Sequence, residues 1–588
     1  MVIKLVTLLA IIVVLAVACG TAEAPDPTAM PEATSAPAAE PTAAPGVGET
    51  SQPTPTPEMA VPPAEVEVNP GKVTLLTNDL GTEQFDGTYG SMGQDYARTF
   101  HGFRVSWDRS PEGEMVIIPG IATKWEISPD GLTTTFTMRE GVKFHDGTEV
   151  TAEDVLWTLQ HYMGAQARDY AKGTVAINYS TIMDRIEQTG PNQVSVTTKV
   201  PSPELATYTA QGAGGSSGGV VMPKRATMHN EQEVEAYDQN PVGAGPMKFV
   251  SHVRAQSMTF ERFEDYYHQP ENGFPNDKRL HFTELDLLMV PEEATRVAAL
   301  RAGEADMGRI SLQAREQVEA GGGRLVFVQE GVTIEPHQYG CWKSHVPCYD
   351  RRVRQALNYA IDKELMRDTL FGGPDEMQVK GWWIVTPSTI GYSPELDPFP
   401  YDSDKARQLL AEAGYPDGNG FGKLIVWTQA SPYLPLLPES AQLAADMWRR
   451  ELGLDVEVRV GDPSTLTQDT ALNPQIFDGQ VLWRDQDTRL DAAGILRLFY
   501  LTPQLGGPAT RLHNDPELFA LVEEAMAAVG REEEEEVLNR TFKRLREEAY
   551  QIPVGYVNVP WGVGPRIETW EPYPLAQWAS ALHTITLK

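Results

Sequence analysis

The sequence predicts an α/β protein whose sheets are parallel or mixed. Extended apolar segments alternate with helical ones along the chain, which is the pattern that produces βαβ units. The 518 residues from Gly71 to Lys588 are enough for about two to four domains with their own cores. The chain shows no internal repeat of roughly 20 to 50 residues, so a repeat architecture is not indicated.

The first βαβ pattern lies just before the middle of the chain. Apolar residues alternate from Leu280 to Val290, which predicts a strand. Pro291 then opens a helix that runs to about Ala302 and is ended by Gly303. Residues 305–307 lead into the next extended segment.

A second βαβ pattern follows the same order. Leu424–Trp427 is a short apolar run typical of a buried strand. The helix predicted from about Glu439 to Leu452 ends at Gly453. Valines then stand at every second position from residue 456 to 460, which predicts another strand.

Two more helices are predicted between these units. A segment from Asp404 to Ala413 has Asp402 or Ser403 as its cap and Gly414 as its end. The other helix is indicated by an apolar stripe at helical spacing. The stripe comprises Val353, Ala356, Leu357, Ala360, Ile361 and Leu365.

The first residues resemble a bacterial lipoprotein leader. The apolar run from Leu5 to Ala18 is too short for a comfortable membrane span and has the length of a signal-peptide core. Small residues lead into Cys19 as in a lipobox, although Ala16 stands three positions before the cysteine. We therefore expect residues 1–18 to be removed and Cys19 to anchor the protein in the cell membrane, on its extracytoplasmic side. An uncleaved anchor and an ordinary secretory signal are the alternatives.

Residues 19–70 are predicted to form a disordered tether. The stretch from residue 20 to 70 holds twelve prolines and no Phe, Trp or Tyr, so it cannot bury enough apolar surface to offset its ordering entropy. The net charge of the whole chain is −33. That charge argues against nucleic acid and anionic membrane surfaces as partners.

Residues 122–162 combine a predicted β-meander with a capped helix. Thr151 and Asp154 form the capping box of that helix. The predicted strands and turns are, in order, Trp125–Ser128, Pro129–Gly131, Thr133–Met138, Val142–Phe144 and Asp146–Gly147. The string closely resembles the hallmark of the family 5 extracellular solute-binding proteins, the peptide and nickel binders of ATP-driven importers, above all in the REGVKFHDG stretch from Arg139 to Gly147.

Other stretches resemble the same family in the expected order. They are Gly243–Pro246, Tyr266–Tyr267, Thr295–Asp306, Arg352–Lys363 and Lys405–Tyr415. The resemblance implies a two-lobed, class II clamshell fold with an extra small α/β domain inserted in the first lobe. It also implies that a small solute, most often an oligopeptide, is captured between the lobes and delivered to the permease subunits of an ABC importer. We expect a monomer without a cofactor and without a resident metal.

The resemblance also implies the domain boundaries. We expect lobe I to comprise residues 71–105, 243–325 and 552–588, the inserted domain residues 106–242, and lobe II residues 326–551.

Candidate ligand contacts come from the same resemblance. In peptide binders of this family, an acidic residue just after a tryptophan of the second lobe pairs with the amino terminus of the peptide. Trp483 is followed here by Asp485 and Asp487, either of which could be this anchor. Thr488 and the residues after it depart from the family pattern, and Arg484 could neutralise a neighbouring aspartate. An internal ion pair and surface carboxylates are therefore the alternatives.

Aromatic residues supply the other candidate contacts. Trp382 and Trp383 fall where the family lines its cleft, and such rings form flat apolar walls, although one or both could belong to a core. Tyr339 and Trp342 lie in a loop that commonly approaches the ligand, and Trp342 stands near the place of the family's usual asparagine. This departure indicates that the solute could be unusual.

The same loop carries Cys341 and Cys348. In an oxidising compartment, two cysteines this close in sequence can form a small disulfide. Cys341, His345 and Cys348, with His337 upstream, also have spacings that could bind a metal. Free thiols are the third possibility.

Two rival functions compete with solute import. Gly214–Gly218 fits the GxSxG pattern of hydrolases, with Ser216 or Ser217 as nucleophile, but no predicted strand precedes it and no predicted helix follows. His145 beside Asp146 lies in a predicted turn, which favours a structural role. The second rival is a surface sensor that uses the same fold without transport. Oligosaccharides and metal chelates are alternative ligands.

Overall fold

The computed structural model describes residues 71–81, 83–87, 94–163, 182–205, 219–226, 231–431, 433–493, 496 and 514–588. The predicted leader with Cys19, the tether, and Ser216 and Ser217 lie outside these residues. Every helix in the described part of the chain is too short or too polar to cross a membrane.

A large mixed sheet carries the first predicted βαβ unit. The strand Lys72–Thr77 lies between Glu284–Met289 and Met307–Arg309 and is parallel to both. The helix Glu293–Ala302 connects the two outer strands and ends at Gly303, whose φ of 71° is the left-handed conformation that favours glycine. The predicted unit is confirmed. The strand order is Met247–Val253, Ser257–Arg262, Glu284–Met289, Lys72–Thr77, Met307–Arg309, Gly555–Val563, Arg324–Ile334 and Asp485–Asp487, with Met377–Gln378 also paired to Gly555–Val563.

A second sheet carries the second predicted unit. Lys423–Gln429 is parallel to Asp455–Gly461, and the helix Leu437–Leu452 connects them. On its other side, Lys423–Gln429 is parallel to Val481–Leu482, which is antiparallel to His337–Gln338. This unit, too, is confirmed, and with it the α/β class.

Two chain segments cross from one of these sheets to the other, side by side. The first crosses at residues 335–336 and the second at residues 483–484. The two crossings touch, because the N–H of Glu335 donates a 2.8 Å hydrogen bond to the carbonyl oxygen of Arg484. Residues on these crossings therefore lie where both sheets meet.

The lobe boundary predicted after residue 325 falls inside a strand. Arg324–Ile334 pairs with Gly555–Val563 from one end to the other, with an irregularity between Val328 and Val332. This ladder keeps the strand in the large sheet until the crossing. The division into lobes remains a prediction.

A smaller antiparallel sheet follows the first part of the large one in sequence. Its strand order is Ala122–Ile127, Thr133–Met138, Gln193–Thr198 and Met183–Gly190. The strand predicted at Val142–Phe144 is wrong. That segment forms a single bridge, from Lys143 to Glu149, because a tight turn reverses the chain at once.

The helix that follows this turn, Ala152–Tyr162, has the predicted capping box. The carboxylate of Asp154 accepts hydrogen bonds from the N–H of Thr151 at 2.9 Å and from its hydroxyl at 2.7 Å. It also accepts one from the N–H of Lys224 at 2.8 Å. The cap therefore ties the helix to a distant segment of the chain.

The apolar stripe predicted as one helix is two. Arg351–Tyr359 ends after the first part of the stripe, and Lys363–Leu370 starts again behind Asp362, whose carboxylate accepts from the N–H of Leu365. The break turns the second helix, so Leu365 is 45% exposed instead of buried.

The remaining elements surround these sheets. The other helices are Gln94–Phe100, Glu231–Gln239, Arg315–Glu319, Ser403–Glu412, Pro463–Leu472, Pro516–Ala527 and Arg531–Glu548. The paired short strands are Gly102–Phe103 with Val220–Val221, Val105–Arg109 with Met115–Pro119, and Ile567–Thr569 with Thr586–Leu587. The 3₁₀ turns are Pro270–Asn272, Leu312–Ala314, Pro347–Tyr349, Pro394–Leu396, Pro416–Gly418, Pro474–Phe477 and Leu582–Thr584.

Candidate ligand-binding site

Ionisable side chains are buried at the point where the two chain segments cross. Glu335 and His337 are fully buried. Burial raises the pKa of Glu335 well above the usual range of a glutamate, and the nearby Arg484 only partly opposes this. Burial, together with Arg484, lowers the pKa of His337 well below its usual range. Both groups are thus held towards their neutral forms.

Asp485 lies directly after the second crossing, in a strand of the large sheet. Its carboxylate accepts a hydrogen bond from the hydroxyl of Ser431. The Ser431 oxygen in turn accepts from the N–H groups of Tyr433 and Leu434, both at 3.2 Å. Burial raises the pKa of Asp485, while Ser431 and Arg484 oppose the shift. The carboxylate is therefore held in place by the loop that follows the second sheet's central strand.

Asp487 lies two residues further along the same strand and so on the same face. Its carboxylate accepts a hydrogen bond from the side-chain amide of Gln577. Nη2 of Arg489 lies 3.7 Å from its other oxygen. Asp487 is thus engaged by two side chains, one of which comes from near the end of the chain.

Two more guanidinium groups, those of Arg98 and Arg309, lie in the same region. The guanidinium of Arg98 lies 3.6 Å above the ring of Trp578. Burial lowers the pKa of Arg98 to about 9, against the opposing effect of Asp487 and Asp95. The ring contact ties Arg98 to the C-terminal segment, and Asp487 is near enough to favour its charged form.

Arg309 completes the group. Its Nη2 lies 3.5 Å from a carboxylate oxygen of Asp95. Its guanidinium also stacks on Tyr433, with the guanidinium carbon 4.4 Å from the ring centre. Asp95 also accepts from the N–H of Ala579 at 3.1 Å. We call this set of side chains the acid–arginine cluster. It consists of Asp95, Arg98, Arg309, Tyr433, Asp485, Asp487, Arg489, Gln577 and Trp578.

Two small cavities are lined in part by residues of this cluster. One of about 70 Å³ is lined by Arg98 and Trp578, and one of about 40 Å³ by Arg309 and Tyr433. A much larger cavity of about 960 Å³ lies on the helix Arg531–Glu548; its described lining includes Leu490 but no residue of the cluster. We place the candidate site at the cluster, because buried charges of both signs can distinguish a charged solute from a neutral one. The volume of a cavity does not provide this discrimination.

The predicted tryptophans lie in cores. Trp483 is fully buried, and its indole N–H donates to the hydroxyl of Ser440 at 2.9 Å. Trp382 is also fully buried and donates to the side-chain oxygen of Gln551 at 3.3 Å. Trp383 is 1% exposed within the same apolar cluster as Trp382. The structure does not bring these three rings into the acid–arginine cluster, and their contact with a ligand stays a prediction.

The loop after the first crossing is tied by a disulfide between Cys341 and Cys348, whose Cα atoms are 5.0 Å apart. Tyr339 is buried against Phe477, with ring centres 5.4 Å apart. Trp342 is 39% exposed, and Nζ of Lys343 lies 5.4 Å from its ring centre. Tyr339 and Trp342 therefore lie outside the cluster, and their role in binding also stays a prediction.

Sequence reasoning missed most of the cluster. Asp95 and Arg98 come from the beginning of the described chain, and Gln577 and Trp578 come from its end, so no local pattern joins them.

Comparison with known proteins places the chain in a family. The model of the bacterial extracellular solute-binding proteins, family 5 middle, matches residues 116–503. Heme-binding protein A of Haemophilus influenzae is 27% identical over 494 residues, which are 77% of this chain and 83% of that protein. The dipeptide-binding protein of Escherichia coli is 26% identical over 367 residues, which are 58% of this chain and 62% of that protein.

Solved structures share the fold. The oligopeptide-binding protein AppA of Bacillus subtilis, in complex with a nonapeptide, superposes with a TM-score of 0.68 at 19% identity, over 89% of this chain and 100% of that one. This likeness confirms the predicted two-lobed α/β fold. The chain belongs to the bacterial extracellular solute-binding proteins of family 5.

Proposed function

We propose that this protein captures a small oligopeptide and delivers it to the permease of an ABC importer. The observation that carries the proposal is the acid–arginine cluster, because it gathers carboxylates and guanidiniums beside the two crossings between the sheets. A short peptide is a zwitterion, so its ammonium needs a carboxylate and its carboxylate needs a guanidinium. Asp485 is the proposed ammonium anchor, since its carboxylate has a fixed orientation on Ser431.

We propose that binding closes two lobes around the peptide. The lobes are those expected from the sequence, with residues 71–105, 243–325 and 552–588 in one, 326–551 in the other and 106–242 as an insertion. A ligand that contacts both lobes only when they are close favours the closed form. Cluster residues from both proposed lobes support this, because Arg98 and Gln577 belong to one and Tyr433 and Asp485 to the other. A permease could then distinguish loaded from empty protein by shape.

We also propose that the protein acts as a monomer at the outer face of the cell membrane, held there by a lipid on Cys19, without a cofactor or catalytic turnover. Membership of a family of binding proteins supports the last point. His145 supports it as well, because its ring lies 3.0 Å from the carbonyl oxygen of Gly245 and accepts from the N–H of Gly243 at 3.3 Å. Burial lowers the pKa of His145 to about 4, so it is a neutral structural group.

The experiment that tests the function is a thermal-shift screen of the full chain, purified in mild detergent, against peptides, sugars, metal chelates and heme. A ligand at a hundred times its Kd stabilises the folded state by about 2.7 kcal/mol. For a folded region as long as this one, that free energy raises the Tm by roughly 2–3 °C. Shifts with short peptides are expected. Shifts with sugars, chelates or heme but no peptide would contradict the proposal.

Two further measurements test the rival functions. Hydrolysis of a chromogenic ester that is lost in Ser216→Ala or Ser217→Ala would support an enzyme. Uptake of labelled peptide by cells that carry the gene, and its loss on deletion, separates import from sensing. Peptide binding without uptake would favour a surface sensor.

A further inference from the structure

One loop of the second sheet is organised around the hydroxyl group of Ser431. We call Ser431 and residues 433–436 the anchor loop; it follows the central strand of that sheet. The Ser431 hydroxyl donates to the carboxylate of Asp485. The same oxygen accepts from the N–H groups of Tyr433 and Leu434, both at 3.2 Å. One oxygen atom therefore fixes both the carboxylate and the first residues of the loop.

The anchor loop contacts the large sheet through the ring of Tyr433. This ring stacks on Arg309, the last residue of the strand Met307–Arg309, with the guanidinium carbon 4.4 Å from the ring centre. Leu434 beside it is buried. Only the cavity of about 40 Å³ remains here, and its lining includes Arg309, Tyr433 and Val557 from the large sheet. The stack is therefore a contact between the two sheets, made by a residue whose backbone is bonded to the support of Asp485.

Arg309 is held on its own side without help from Tyr433. Its Nη1 donates to the side-chain oxygen of Asn78 at 3.3 Å, and its Nη2 lies 3.5 Å from the carboxylate of Asp95. Its guanidinium carbon also lies 5.2 Å from the ring centre of Trp561. All three partners belong to the segments expected to form lobe I. The guanidinium therefore stays paired and oriented when the ring of Tyr433 moves away, so this contact can form and break without unfolding either side.

We propose that Tyr433 is a positioning residue, which stacks on Arg309 and so holds the two lobes together when the ammonium group of the solute occupies Asp485. This rests on the proposed function and on Asp485 as the ammonium anchor. A bound ammonium favours the charged carboxylate, which is the stronger acceptor for the hydroxyl of Ser431. A fixed Ser431 keeps the ring of Tyr433 directed at Arg309. The cation–ring contact, shielded from water, then favours the closed form.

Stopped-flow kinetics of trialanine binding to the full chain test this with Tyr433→Leu, which removes the ring, and Tyr433→Phe, which keeps it. We expect Tyr433→Leu to raise koff about tenfold, with little change in kon, because the stack forms after the solute has bound. Tyr433→Phe should behave like the unaltered protein. An unchanged koff in Tyr433→Leu, or an equal rise in both variants, would overturn the proposal. A Tm lower by several degrees in ligand-free Tyr433→Leu would show a structural role and would also overturn it.

Small-angle scattering separates this inference from the proposed function. Saturating trialanine should reduce the radius of gyration of the unaltered protein and of Tyr433→Phe, and should reduce that of Tyr433→Leu less. If peptides bind and compact all three proteins equally, the role of Tyr433 fails and the peptide function stands; if none binds the unaltered protein, the proposed function itself fails. Lys405→Gln is the matched control, because it removes a cation 4.9 Å from the ring centre of Tyr359 within one proposed lobe. Its koff should not change, and a tenfold rise there would overturn the proposal.

Discussion

Replacement of Asp485 by asparagine should weaken the binding of peptides with a free amine and spare peptides whose amine is acetylated. The structure shows one carboxylate oxygen of Asp485 bonded to the hydroxyl of Ser431, which leaves the other for an ammonium group. Asparagine keeps the size of the side chain and can still accept from Ser431, but it lacks the charge. The change therefore isolates the electrostatic part of the interaction.

The magnitude follows from the distance and the surroundings. Two unit charges about 4 Å apart interact by about 4 kcal/mol at an effective dielectric constant of 20. Removing the ammonium from water offsets about half of this, so a net loss of about 2 kcal/mol is expected, or roughly 30-fold in Kd. Burial raises the pKa of Asp485, so its protonated, non-binding form appears at a higher pH than for an exposed aspartate. Acidification should therefore weaken binding of the free amine first.

The assay is a double-mutant cycle by calorimetry. The unaltered protein and Asp485→Asn are each titrated with the free and the acetylated peptide, and the coupling energy is the difference of the two differences. Asp487→Asn is the control, with a smaller coupling, because Gln577 and Arg489 already engage that carboxylate. A coupling energy below about 0.5 kcal/mol, or an equal loss for both peptides, would refute the role of Asp485.

Three further predictions concern stability. Glu335→Gln should be more stable than the unaltered protein at pH 8, and the difference should vanish towards pH 4. The reason is that burial raises the pKa of Glu335, so the folded state binds more protons than the unfolded state between the usual and the raised pKa, and stability falls as the pH rises through that window. Cys341→Ser with Cys348→Ser should cost about 2.5 kcal/mol, which is the entropy of closing a loop with a sequence separation of 7. Gly381→Ala should cost about 1–3 kcal/mol, because its Cβ would lie 2.2 Å from the carbonyl oxygen of Val385 at a φ of +86°.

Chemical denaturation measures all three. A stability difference for Glu335→Gln that does not depend on pH would show that the carboxylate titrates as in the unfolded chain. An unchanged midpoint for the double serine variant in the absence of reductant would show that the disulfide does not form in the purified protein. Gly422→Ala is the control for Gly381→Ala, since Gly422 has a φ of +85° but no atom within 4 Å of an added Cβ. An equal cost in both variants would assign the effect to φ alone.

Local patterns in the sequence were enough to predict much of the fold. The capping box of Thr151 and Asp154 and the glycine ends at Gly303 and Gly453 depend on residues within a few positions of each other, and the structure has all of them. The strand predicted at Val142–Phe144 was wrong because a segment of three residues does not show whether a partner strand is available. The prediction of one helix through Leu365 was wrong because an apolar stripe at helical spacing does not show that the helix breaks at Asp362.

The sequence by itself determined the α/β class, both βαβ units and the resemblance to a solute-binding family, because these depend on hydrophobic period, turn residues and motifs that are contiguous in the chain. Only the tertiary structure decided where the charges meet. Arg98 and Trp578 are joined through contacts between the two ends of the described chain, and Asp485 reaches Ser431 through the pairing of strands. Whether a charge is satisfied depends on such distant neighbours. The acid–arginine cluster, which carries the proposed function, therefore becomes visible only in the folded protein.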